Sequence, residues 1–252
     1  LHEVLQHYLD VMYAKSGAEA DRIDINELFE DTLRECYAKD YKRNKNQHFS
    51  TPEELREFYE DGKAILDNFK KKKGGYFSKK GWYLVGCEIP IVMAPNLRLN
   101  RVKYMGYLDI VMYHEPTNTF KIIDIKTSTK GWNKYTKNDE SKQFQLILYK
   151  YFFSKQYNIP IENIEIEFFI VRRKVYLDGE YPQKRIQTFV PASGRNKVNK
   201  ATKNLDDFIN RAFNLDGSYK DTTFMAKPSK WNCTFCPYKE NKELCSAVGK
   251  SL

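Results

Sequence analysis

Tyr104–Ser128 reads YMGYLDIVMYHEPTNTFKIIDIKTS, two runs rich in β-branched and aromatic residues around the turn cluster His114-Glu115-Pro116-Thr117-Asn118-Thr119. The pattern predicts a β-hairpin with strands over 104–114 and 119–127. A turn centred on Pro116 and Thr117 puts Asp109 directly opposite Asp124, their Cβ atoms roughly 5 Å apart. Lys126 lies two residues beyond Asp124 and so points to the same face. Like charges facing each other across a ladder repel, so the pair calls for a compensating cation. Two carboxylates and an amine around one divalent metal point to hydrolysis of a phosphodiester. Asp109 and Asp124 are hard oxygen donors of the kind Mg²⁺ or Mn²⁺ takes. Lys126 would orient the attacking water and offset charge on the phosphorane oxygens.

Outward from the hairpin, the chain of 252 residues is long enough for one large domain with a substantial interior. It carries 42 Lys+Arg against 33 Asp+Glu, a net charge of +9, which favours a polyanionic partner such as nucleic acid. No apolar run approaches the roughly 18 residues of a membrane span, and no signal peptide is visible. Five cysteines, an odd number, do not make a secreted disulfide framework and point to a reducing compartment. The chain opens at Leu1-His2-Glu3 inside an apparent helix, so native sequence is expected to precede it.

The first 75 residues read as a helical region. Leu1, Leu5, Tyr8, Leu9 and Met12 recur at helical spacing. Asp24 or Asn26 would cap a helix through Tyr37. Ser50-Thr51-Pro52-Glu53-Glu54 starts another, running toward Phe69 and ended by Lys70-Lys71-Lys72-Lys73-Gly74-Gly75. That basic run reads as a helix stop that complements the macrodipole, or as a patch for nucleic acid. A catalytic core is expected over 76–215: a strand at 82–93, the hairpin, a helix at 139–157 with Phe144, Ile147, Leu148, Tyr151 and Phe152 buried, strands at 163–172 and 184–190 around a turn at Asp178-Gly179, and a helix at 197–214. A Cys-bearing tail, 216–252, closes a single domain. Helices followed by a sheet interrupted by a crossover helix define an α/β class with a mixed sheet.

In order along the chain stand His2 on a helix, Glu88 on a strand, Gly106 to Asp109, Asp124-Ile125-Lys126, and Gln145 to Tyr149 on a helix. This set resembles the RecB-like branch of the PD-(D/E)XK nuclease superfamily over about residues 1–157. The resemblance implies a restriction-endonuclease-like core, a mixed sheet flanked by helices. It implies a metal-dependent DNase, an exonuclease working at DNA ends in recombination, repair or replication. It also adds the Ile125 carbonyl and His2 to the metal shell. Glu88 reads as a third carboxylate or an ordinary strand glutamate, and alternation puts it on the face opposite Cys87. His2 reads as a ligand or as a core histidine. Gln145 and Tyr149, at i and i+4, share a helix face and can reach one phosphate, though Tyr149 also suits the buried stripe. Lys130, Trp132, Lys134, Tyr135 and Lys137 interleave rings with cations, as suits a single strand or a solvated loop.

The tail carries Cys233, Cys236 and Cys245, a Cys-x₂-Cys with a third thiol nearby, which reads as Zn²⁺ ligation or a packed remnant. In relatives of that branch a similar triplet joins an upstream cysteine around a [4Fe-4S] cluster, which needs four thiolates. Here Cys36 and Cys87 are not in equivalent places. Two other readings stay open: an endonuclease or nickase of the same chemistry, and a silent nucleic-acid-binding module with a metal-bearing tail. No Gly-x-x-x-x-Gly-Lys loop is present, so a helicase or recombination partner would have to unwind any duplex. DNA that is single-stranded or has accessible ends is the expected substrate, in the cytoplasm or nucleoid of a prokaryotic or phage host, or in an organelle.

Overall fold

The computed structural model describes residues 1–95, 100–176, 183–221, 228–234, 236–241 and 243–245. Helices α1 (His2–Ala14), α2 (Gly17–Asp21), α3 (Ile25–Arg43) and α4 (Pro52–Lys72) come first. Strands β1 (Trp82–Met93), β2 (Tyr104–His114) and β3 (Thr119–Ser128) follow, then α5 (Lys134–Asn138) and α6 (Glu140–Tyr157). Strands β4 (Ile164–Arg172) and β5 (Ile186–Phe189), α7 (Arg195–Ala212) and α8 (Lys230–Thr234) complete the described order.

Local chemistry sets these boundaries. Thr51 and Glu54 form a reciprocal capping box in front of α4, with Pro52 in its first turn. Asp24, rather than Asn26, caps α3 by accepting from the Asn26 and Glu27 N–H groups. Asn158 ends α6 in the left-handed region at φ +52°. Pro116 starts a 3₁₀ turn that Asn118 closes at φ +49°, and this turn makes the expected hairpin.

The five strands lie in sequence order, β1-β2-β3-β4-β5. Only the β3–β4 pair is parallel, because α6 carries the chain back across the sheet between them. Against one face pack α1, α3 and α4, through Leu5, Tyr8, Leu9, Phe29, Ile65 and Phe69. Against the other pack α6 and α7, through Leu146, Ile147, Phe152, Phe153, Val198 and Ala201. A mixed sheet between helical layers is the architecture expected from the sequence. Helix α6 is buried more widely than its expected stripe: Gln143, Leu146, Tyr149, Lys150 and Phe153 are buried, while Phe144 and Tyr151 are half-covered. The sheet covers one side of it and α7 another, so no single stripe marks its inner face. The turn at Asp178-Gly179 lies outside the described residues.

Strand β1 is less regular than its composition. Its register slips by one residue between Leu84 and Gly86, a bulge at Val85. Trp82, Leu84 and Cys87 pack with the N-terminal helices, whereas Ile89, Ile91 and Met93 pack with the α6 layer. Cys87 and Ile89 would share a face in an unbroken strand. The reversal falls on Glu88, whose φ is +52°. The partner strand switches at the same level: Ile110, opposite Cys87, joins the first layer, and Leu108, opposite Ile89, joins the second.

Candidate active site

The β2–β3 ladder follows the expected register and ends with Ile110 opposite Ile123, one step short of the two aspartates. There the strands part. The Asp109 carboxylate takes the backbone's place and accepts from the Ile125 N–H at 2.6 Å. Asp124 is 3% exposed. Its Oδ2 lies 2.8 Å from Lys126 Nζ, as the two-residue spacing requires. No hydrogen bond of regular geometry reaches this buried oxygen, whose partner is the Lys126 ammonium through their opposite charges.

Burial pushes both aspartates above the ordinary carboxylate range. The Ile125 N–H acts against that shift at Asp109, and the Lys126 ammonium acts against it at Asp124. His2, at the start of α1, feels the charges of Asp124, Lys126 and Glu88. Burial holds its imidazole below the ordinary value and favours the neutral form that can bind a metal. Glu88 does not stay opposite Cys87. Its carboxylate accepts from Gln6 on α1, and Cys87 Sγ contacts Asp10 of that same helix. The left-handed φ at Glu88 is the physical reason alternation fails there.

On the other side of the site, Lys126 Nζ donates to Gln145 Oε1 at 3.1 Å, and Gln145 Nε2 donates to Tyr149 Oη at 3.0 Å. The i, i+4 pair thus forms a chain that ends on the lysine. Gly106 makes room for it, since a Cβ there would meet Tyr149 Cε1 at 2.6 Å. The glycine three residues before Asp109 therefore has a packing cause.

Other expected site residues lie elsewhere. The Trp132 ring packs on Phe168 with centroids 4.8 Å apart, and its backbone N–H bonds Gln187, so it belongs to the α6-side core. Lys130 and Lys134 are exposed on the loop and on α5. Cys233, Cys236 and Cys245 are free thiols. Among the described residues no three or more His, Cys, Asp or Glu side chains are grouped as a metal would need. Nothing among the described residues of the tail supports a four-thiolate cluster or a zinc site. The hairpin acids match a divalent cation in donor chemistry, two hard carboxylates beside one lysine, though His2, Glu88, Asp109 and Asp124 are not grouped as a metal would need either.

Sequence reading missed Gln6. It lies one helical turn after His2, and that i, i+4 spacing was the available signal.

A mixed sheet between helical layers, with an Asp-x-Lys strand and an aspartate beside it where two strands part, is consistent with a restriction-endonuclease-like α/β core. The model of the PD-(D/E)XK nuclease superfamily matches residues 1–241, and the chain belongs to that superfamily. Membership makes it a nuclease hydrolase. No curated protein matches the chain significantly.

Proposed function

We propose that the protein is a metal-dependent DNA exonuclease of the RecB-like branch, hydrolysing phosphodiester bonds at accessible ends with Mg²⁺ or Mn²⁺. One observation supports this reading: the buried Asp124 carboxylate stands 2.8 Å from the Lys126 ammonium and close enough to Asp109 to feel its charge. A pure binding surface has no use for buried acid, because phosphate binding needs positive charge.

Asp109, Asp124 and the Ile125 carbonyl would hold the cation, with His2 and Glu88 completing the set. When bound, it supplies positive charge at the scissile phosphate and a more acidic water. Lys126 then positions that water and stabilises charge developing on the phosphate oxygens. Gln145, steadied by Tyr149, fixes the direction of the Lys126 ammonium. The net charge of +9 draws in the DNA backbone. A separate helicase or recombination protein would supply unwinding, in the cytoplasm or nucleoid.

The test is digestion of end-labelled linear single-stranded, linear duplex and closed circular DNA. Cleavage that needs Mg²⁺ or Mn²⁺, stops with EDTA and spares circles is expected. Nicked circles would replace the exonuclease with a nickase of the same chemistry. Lys126→Ala should keep binding DNA and lower kcat by at least about 100-fold. Undiminished cleavage by that variant would sink the mechanism.

A further inference from the structure

Gln6 is 5% exposed on α1, and its side-chain amide donates to two adjacent strands. Nε2 donates to Glu88 Oε1 at 2.6 Å and to the Asp109 carbonyl at 2.9 Å. Those two acceptors sit where β1 and β2 turn over from one core layer to the other, and Glu88 there has φ +52°. Such a conformation is sparsely populated by residues with a side chain and persists only when its surroundings hold it. Gln6 is the described side chain that bonds to both strands at that level.

The chemical type matters as much as the place. An apolar residue would fill the space but leave the carboxylate free to rotate and the Asp109 carbonyl without this donor. A lysine would neutralise Glu88 and compete with a cation, and a glutamate would repel it. An amide donates without charge, so the carboxylate keeps its negative charge and a second oxygen.

We propose that Gln6 is a positioning residue: it orients the Glu88 carboxylate and ties the Asp109 backbone to α1, setting where the acids stand relative to the cation. This inference rests on the metal-dependent nuclease reading above. His2, one turn earlier on α1, also feels the Glu88 charge, together with those of Asp124 and Lys126, so docking of this helix brings both residues to the acids.

The test combines Gln6→Met and Glu88→Ala, alone and together, with Mn²⁺ affinity measured by calorimetry without DNA and kcat and KM on linear DNA. Gln6→Met should weaken Mn²⁺ binding by about 10- to 100-fold and lower kcat, with KM for DNA little changed. The double variant should lose less than the product of the two single defects, because Gln6 acts in part through that carboxylate and in part through the Asp109 carbonyl. In the wild-type protein, the Gln6 side-chain amide pair should exchange slowly by NMR and shift on titration with Mg²⁺. Wild-type Mn²⁺ affinity in Gln6→Met, defects that multiply in the double variant, or an amide pair that ignores Mg²⁺ would each overturn the proposal. If Gln6→Met does not fold, the wild-type amide titration decides. A protein that meets the Mn²⁺ and NMR expectations yet cuts no DNA would end the nuclease reading and leave the role of Gln6 standing.

Discussion

Gly106 has no side chain, yet it controls three. A methyl group there would lie 2.6 Å from Tyr149 Cε1 and 3.2 Å from the Tyr149 oxygen. The ring would have to move, and with it the Gln145 amide and its hold on Lys126. Gly106→Ala should therefore destabilise the fold by about 1–3 kcal/mol through overpacking. It should also lower kcat more than about tenfold, with DNA affinity retained. Thermal melting and single-turnover cleavage check this; an alanine variant that melts and cuts like the wild type would break the link from ring to lysine. The placement of Asp109, Asp124 and Lys126 at one level of the hairpin was legible in the sequence, because period-two geometry fixes side-chain direction once a turn is located. Gln6 was not, since on its own it is one more polar residue on an amphipathic helix. Nor was the direction of Glu88, because its left-handed backbone is held by a contact from residue 6 rather than by its neighbours in sequence.

Among the elements, the basic run that ends α4 shows how one stretch divides its labour. Lys73 bonds the Asp21 carboxylate at 2.8 Å, and Lys70 donates to the carbonyls of Asp21 and Ile23, while Lys71 and Lys72 stay exposed. Tyr8 of α1 donates to Asp21 as well. Asp21 thus joins α1, α2 and α4. Hydrogen bonds from Lys73 and Tyr8 hold its carboxyl below the ordinary value of 3.8. A carboxyl with a lowered native pKa stabilises the fold fully above its unfolded value, and that gain is lost as pH falls through the native one. Asp21→Asn should cost about 0.5–1 kcal/mol at neutral pH, a small figure because the side chain is partly in water. The difference from wild type should shrink as pH drops below about 4. Urea melts at pH 7 and pH 3 test it; a constant difference would remove Asp21 from this role. The start of α4 could be read from its capping box, a purely local signal. The inner face of α6 could not, because its burial depends on α7, which is remote in sequence.

For the molecule as a whole, the excess of 42 basic over 33 acidic side chains should make DNA binding strongly salt-dependent. Measured with Lys126→Ala to prevent cleavage, log Kd should rise with log salt with a slope steeper than about 2, each neutralised phosphate contributing about 0.9 on duplex. A flat salt response would place binding outside backbone electrostatics. The fold class was legible because sheet order follows chain order and a single crossover decides its mixed pairing. How distant segments complete the site was not, because no local pattern carries it. The Asp109–Ile125, Lys126–Gln145 and Gln145–Tyr149 bonds span 16, 19 and 4 residues, whereas Gln6 reaches 82 and 103 residues to Glu88 and Asp109. On a ribosome α1 therefore emerges early and waits for both strands before its amide has anything to hold. Short-range closure comes first and long-range closure last, since loop entropy penalises the latter more. A partly made chain can contain Asp109, Asp124 and Lys126 and still lack the two bonds from Gln6. By sequence distance, docking of α1 on both strands is therefore the last of these closures.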